Sequence, residues 1–209
     1  MSLGLLGKKI GMTRIFDKEA GSSIPVTVID VSGNTLLQSK TVESDGYTAV
    51  QVGFDDQKEF RVNKPDLARF KKAGSAPKRV VQEFRFEAGA ELPTEHPGLA
   101  LFEAGQYVDV IGNTIGRGFQ GVVKRHKFHG QPMAHGHMMH RRSGAIAAGS
   151  TPGRVWKNQK MPGHMGTTKS TTQNLKVIAV REEDGVILVS GSVPGAKGAY
   201  LTIRAAKKK

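Results

Sequence analysis

Six of the seven histidines of this chain lie close together, at His126, His129, His135, His137, His140 and His164. Two of their spacings suit a metal: His135 and His137 with His140, and His126 with His129. A zinc site also draws on outer groups that orient its imidazoles, typically carboxylates, and a hydrolytic site needs a general base. Neither is at hand. Asp109 and Glu182 are successive acids, and the 72 residues between them hold no Asp or Glu. Imidazoles among cations more naturally donate to phosphate or stack on bases. No metal is expected. A metal-dependent hydrolase is the competing reading, and it requires stoichiometric metal in the purified protein.

Residues 116–121 (GRGFQG) match G-x-G-x-x-G and follow a strand candidate. A dinucleotide site needs a helix after the glycines and an acid about 20 residues on. The next acid is Glu182, and residues 124–130 (KRHKFHG) predict no core-facing helix. The glycines are therefore expected to serve a tight turn or close approach to a phosphate chain. Ser143, Ser150 and Ser170 lack the G-x-S-x-G context of a nucleophile elbow. Cysteine is absent, which excludes disulfides, zinc knuckles, iron–sulfur sites and thiol catalysis. Neither a cofactor nor a small-molecule substrate is expected, and no enzymatic activity.

What remains is charge. The acid-free interval carries twelve cations: Arg117, Lys124, Arg125, Lys127, Arg141, Arg142, Arg154, Lys157, Lys160, Lys169, Lys176 and Arg181. The rest of the 209 residues hold 19 cations against all 18 acids, so one segment accounts for +12 of the net +13. Solvated helix faces mix signs, because opposite charges support one another at i,i+4. A long single-sign interval points instead to a polyanion, nucleic acid before an acidic membrane surface. The expected RNA contacts are Arg117, Lys124, Arg125, His126, Lys127, His129, His137, His140, Arg141, Arg142, Arg154, Lys157, Lys160, His164 and Lys169. Trp156, between Arg154 and Lys157, can stack on an unpaired base. Pro132, Pro152 and Pro162, with the glycines, suit an extended chain threading folded RNA better than a helix in a duplex groove. A DNA-packing protein is the alternative within this class, and it requires tight duplex binding. Lys207, Lys208 and Lys209 add a basic end.

These residues need elements to hold them. From Lys124 to Asn174 the only Leu or β-branched aliphatics are Ile146 and Val155. Ordering a backbone residue costs about 1–2 kcal/mol, and burying a large apolar side chain returns about 1.5–3 kcal/mol. Even with Phe128, Trp156 and five Met the segment cannot fold on its own account. It is expected to be flexible when free and ordered on RNA.

Outside it the pattern has period two. Strands are predicted at 24–31, 47–54, 80–86, 107–111, 175–180, 186–190 and 199–204, with a hairpin turn at Glu183-Asp184-Gly185. One short helix is predicted near 64–73, capped by Asn63, with Pro65 in its first turn, Leu67 and Phe70 inward and Gly74 as its stop. The fold class is mainly β, an antiparallel barrel or sandwich. Its body is 1–120 and 175–209, and 121–174 is the inserted basic extension. No apolar run approaches the roughly 18 residues of a membrane span. The first cations follow the initial apolar run instead of preceding it, unlike a signal peptide. A soluble intracellular chain without a membrane partner is expected.

Several long stretches resemble one family, that of bacterial large-subunit ribosomal protein three. They are residues 4–16 (GLLGKKIGMTRIF), 23–29 (SIPVTVI), 45–52 (DGYTAVQV), 116–125 (GRGFQGVVKR), 151–157 (TPGRVWK), 160–166 (KMPGHMG) and 193–198 (VPGAKG). Together they run the length of the chain in order. The resemblance implies a barrel like that of translation-factor second domains with a long basic, largely irregular inserted loop. It implies a cytoplasmic structural protein of the ribosome that binds large-subunit ribosomal RNA early in assembly. The loop tip, Ala147, Ala148, Gly149, Ser150 and Thr151, would approach the peptidyl-transferase centre. Large-subunit proteins fourteen and nineteen would be its neighbours. Many bacterial members carry a methylated Gln just before the Thr-Pro-Gly turn. Here that position is Ser150, which has no amide to modify.

Overall fold

A computed structural model of the chain describes residues 3–17, 21–87, 89, 92–93 and 95–209. In chain order the elements are β1 (Gly4–Asp17), β2 (Ser22–Asp30), β3 (Thr35–Lys40), α1 (Val42–Asp45), β4 (Ala49–Asp56) and a 3₁₀ turn (Glu59–Arg61). Then come α2 (Lys64–Lys72), β5 (Lys78–Arg85), a second 3₁₀ turn (Gly98–Leu101), β6 (Tyr107–Asn113), β7 (Phe119–Gln120) and α3 (Val122–His126). The chain ends with β8 (Gly163–His164), β9 (Lys169–Arg181), β10 (Val186–Ser190) and β11 (Tyr200–Ala205). The protein is mainly β. By its internal contacts the chain divides into two compact units, Met1–Asn113 with Lys169–Lys209, and Thr114–Thr168.

In the larger unit, six antiparallel strands hydrogen-bond in the closed order β1-β11-β6-β9-β10-β2, which leaves that ring no free edge. β3, β4 and β5 form a separate antiparallel sheet. Each has its own core. Leu5, Ile29, Val108, Val110, Val177, Ile187, Val189 and Ile203 fill the ring, while Leu3, Leu6, Val50, Val52, Phe54 and Phe84 pack with the sheet. Successive strand residues point to opposite faces. Leu5 and Leu6 therefore serve different cores, and β1 is shared between the two.

The strands at 24–31, 47–54, 80–86, 107–111, 186–190 and 199–204 form within two residues of the expected limits. The turn before β10 is also present, with Gly185 at φ +68°. β1 and β3 carry no clear period-two signal. β1 carries Gly4 and Gly7 because backbone must pass close to neighbours there: a Cβ on Gly7 would lie 2.6 Å from Ile29 Cγ2. β9 begins at Lys169, earlier than the expected 175, because Ser170, Thr171 and Thr172 pair with Gly112, Ile111 and Val110. Thr is a good strand former even where the segment reads as polar.

The sequence predicts one short helix, and the described residues form three. α2 is the expected one, with Phe70 buried and Leu67 half-buried. It ends in a Schellman arrangement, Gly74 N–H to Lys71 O and Ser75 N–H to Phe70 O, with Gly74 at φ +66°. Asn63 occupies the N-cap position, but its side chain makes no capping bond. α1 and α3 are single turns, too short to show a helical period.

Candidate nucleic-acid interface

The smaller unit, Thr114–Thr168, begins and ends in an antiparallel ribbon. Thr114 N–H donates to Thr168 O at 2.9 Å and Thr167 N–H to Thr114 O at 3.1 Å. Further along, Arg117 N–H reaches Met165 O at 2.8 Å and Met165 N–H reaches Gly118 O at 2.9 Å. β7 and β8 continue the ribbon, pairing Phe119 with His164 and Gln120 with Gly163. The G-x-G-x-x-G residues build this ribbon. A Cβ on Gly116 would lie 2.7 Å from Thr167 Oγ1, and Gly118 adopts φ +66°. Gly121 then precedes α3. The sequence reading of no core-facing helix over 124–130 holds: only 124–126 of that stretch are helical, in the single turn of α3, whose buried residue is Val122. Lys124, Arg125 and His126 lie in its last turn, where cations favour the carbonyl end of a helix.

Arg125 and His126 turn back on their own chain. Arg125 Nη1 donates to Met161 O at 2.6 Å, and His126 Nε2 lies 3.0 Å from the same oxygen. The Arg125 guanidinium also packs where a Cβ on Gly163 would stand, 2.8 Å from Nη1. These two candidates brace the loop ends together. Neither Met161 nor Gly166 was singled out by the sequence. At Gly166, φ is +85° and a Cβ would collide with the carbonyl oxygen of Ile115.

Past the ribbon the chain is open to solvent. Between His129 and Lys160 only His137, Ser143, Gly144 and Pro152 are half-buried, and none is buried. In the whole smaller unit Val122 is the one buried residue among those described. Short-range backbone bonds, such as Gln131 N–H to His140 O and Arg142 N–H to Met139 O, give it shape. Arg117, Lys124, Lys127, Arg141, Arg142, Arg154, Lys157 and Lys160 are all exposed. The ion pairs among described residues lie elsewhere in the chain. Trp156 is 57% exposed, with the Arg154 guanidinium carbon 5.5 Å from its ring centroid. It is a surface aromatic carrying a cation, not a core residue.

Of the other candidates, His129 and His140 are exposed. His137 Nδ1 accepts from Met139 N–H at 3.3 Å. His164 sits in β8, exposed. Ala147, Ala148, Gly149, Ser150 and Thr151 form an exposed stretch, with the Thr151–Pro152 peptide cis. Lys169 falls outside this unit, at the start of β9 opposite Asn113. Among the described residues no three His, Asp or Glu gather where they could hold a metal ion.

The smaller unit is exposed, single in charge sign and lightly bonded, and comparison with known proteins says which kind of protein carries it. The family model of ribosomal protein L3 matches residues 50–186. The chain is 64% identical to large ribosomal subunit protein uL3 of Akkermansia muciniphila, over the full length of both. It is 51% identical to the uL3 protein of Streptococcus pyogenes serotype M5 and 50% identical to that of Streptococcus agalactiae serotype Ia, covering all of this chain and 99% of each relative. The chain belongs to the ribosomal protein L3 family. It is accordingly a structural protein of the large ribosomal subunit and not an enzyme, located in the ribosome in the cytoplasm. No helix among the described residues is long and apolar enough to cross a membrane. For an L3-family member, the exposed cations of Thr114–Thr168 need a role other than catalysis.

Proposed function

We propose that this protein binds large-subunit ribosomal RNA early in assembly, chiefly through residues 121–174. The observation that supports this most strongly is the joint one of charge and burial. The 72-residue acid-free interval spans a unit with eight exposed cations and one buried residue. Such a surface repels itself and gains little from packing, so it makes physical sense only against a polyanion. The exposed candidates named above supply phosphate contacts, and Trp156 with Arg154 supplies a stacking platform.

In this reading the six-stranded ring is a barrel of the translation-factor second-domain type and serves as the folded anchor. The extension threads RNA, with Ala147–Thr151 toward the peptidyl-transferase centre, and large-subunit proteins fourteen and nineteen are neighbours. Ser150 removes the amide that many members methylate, so this tip is unmodified at that position. The test is competition. The full chain should co-sediment with large ribosomal subunits and prefer large-subunit RNA over an equal mass of duplex DNA. Equal preference for the duplex would overturn the reading.

A further inference from the structure

The near-neutral average outside the acid-free interval hides a second division. Residues Lys58 to Arg79 hold eight cations and two acids, and the remainder holds 11 cations against 16 acids. Seven of the eight are exposed: Lys58, Arg61, Lys64, Arg69, Lys71, Lys72 and Arg79. The eighth, Lys78, is buried and spent within the fold, 2.7 Å from Asp56 and donating to Gly33 O at 3.2 Å. Of the two acids, Asp66 is taken by Arg69 at 3.3 Å.

The local structure explains the arrangement. α2 buries Phe70, which turns Lys64 and Lys71, seven residues apart, to the outer side. A cleft of about 290 Å³ lies beside the start of α2, lined by Arg61, Asn63, Asp66, Arg69, Lys78 and Arg79 among others. Next to it Phe60 is 78% exposed, more open than Trp156, with the Arg61 guanidinium carbon 5.5 Å from its ring centroid. An open aromatic ring with a guanidinium beside it and further cations nearby is the arrangement single-stranded nucleic acid uses, base on ring and phosphates on Lys and Arg. An acidic peptide would use the cations and have no need of the ring.

We propose that this face of the larger unit is a second RNA contact, with an unpaired base stacked on Phe60 and flanking phosphates held by Lys58, Arg61, Lys64, Lys71 and Arg79. It rests on the RNA-binding reading above but uses none of the residues of Thr114–Thr168.

The test is photo-cross-linking of the full chain to a short oligouridine, with the cross-linked peptides identified by mass spectrometry. A cross-link at Phe60 is expected. It should fall at least about fivefold in Phe60→Ala, the lower end of what one lost base stack costs, and persist in Phe60→Trp, with the melting temperature unchanged in both because the ring is exposed. Cross-links confined to Thr114–Thr168 would overturn this inference and leave the RNA-binding reading intact. Cross-links nowhere would count against both. Suppression of the Phe60 cross-link by oligoglutamate as effective as that by unlabelled oligouridine would mark the face as an acidic-peptide site and overturn the inference.

Discussion

Replacing Arg117, Lys124, Lys127, Arg141, Arg142, Arg154, Lys157 and Lys160 together by Gln removes every exposed cation of Thr114–Thr168. Arg125 is left in place because its guanidinium braces Met161 O. Each phosphate neutralised contributes about 0.7–0.9 to the slope of log affinity against log salt. Eight contacts therefore predict a slope contribution of roughly −6 to −7 and an affinity loss of about 10³–10⁵ between 50 and 200 mM salt. Filter binding of the full chain to large-subunit RNA across that range measures it. The octuple variant should lose most of the slope, keeping a remainder from the Lys58–Arg79 face. Its melting temperature should hold or rise slightly, since the eight lie in a segment with no carboxylate of its own and now repel one another less. An unaltered slope in a folded variant would refute the assignment of the interface.

Trp156→Ala should weaken RNA binding by about 1–3 kcal/mol, while its effect on folding stays below the roughly 3–5 kcal/mol of a core Trp truncation; parallel RNA titration and urea unfolding separate the two. Gly166→Ala forces a side chain against Ile115 O at positive φ, so proteolysis within Thr114–Thr168 should quicken while the larger unit's melting temperature changes little. His96 is held neutral. Burial lowers its pKa, outweighing the contact of Nε2 with Gly4 O, and Nδ1 is occupied as an acceptor for Gly98 N–H at 3.0 Å. Its contribution to stability is present above the unfolded value of about 6.5 and is lost as pH falls below it, because the unfolded chain takes up the proton first. Urea unfolding on either side of that pH should show the loss, and His96→Gln should flatten it.

The larger unit was legible where strands bury one face. Residues 24–31 and 186–190 carry β-branched runs that fill the ring, and Phe70 and Gly74 marked α2 correctly. β1 was not legible, because Gly4 and Gly7 serve close approach and break the alternation. The start of β9 is not legible for a related reason: Thr171 and Thr172 are polar, and only their pairing with β6 makes them strand. In the candidate interface, charge sign and aliphatic poverty found the segment but not the division of labour within it. That Arg125 and His126 converge on Met161 O across 36 and 35 residues is a tertiary fact with no local signal. The Lys58–Arg79 cluster is offset by the acidic remainder, so the charge outside the acid-free interval averages to near zero.

Hydrogen exchange of the full chain, free and then assembled into large subunits, tests the central claim most directly. The account predicts that amides from about 124 to 174 exchange fast in the free protein, in contrast to the ring strands, and become protected on the subunit. Strong protection of that segment in the free protein, or fast exchange persisting on the subunit, would contradict it.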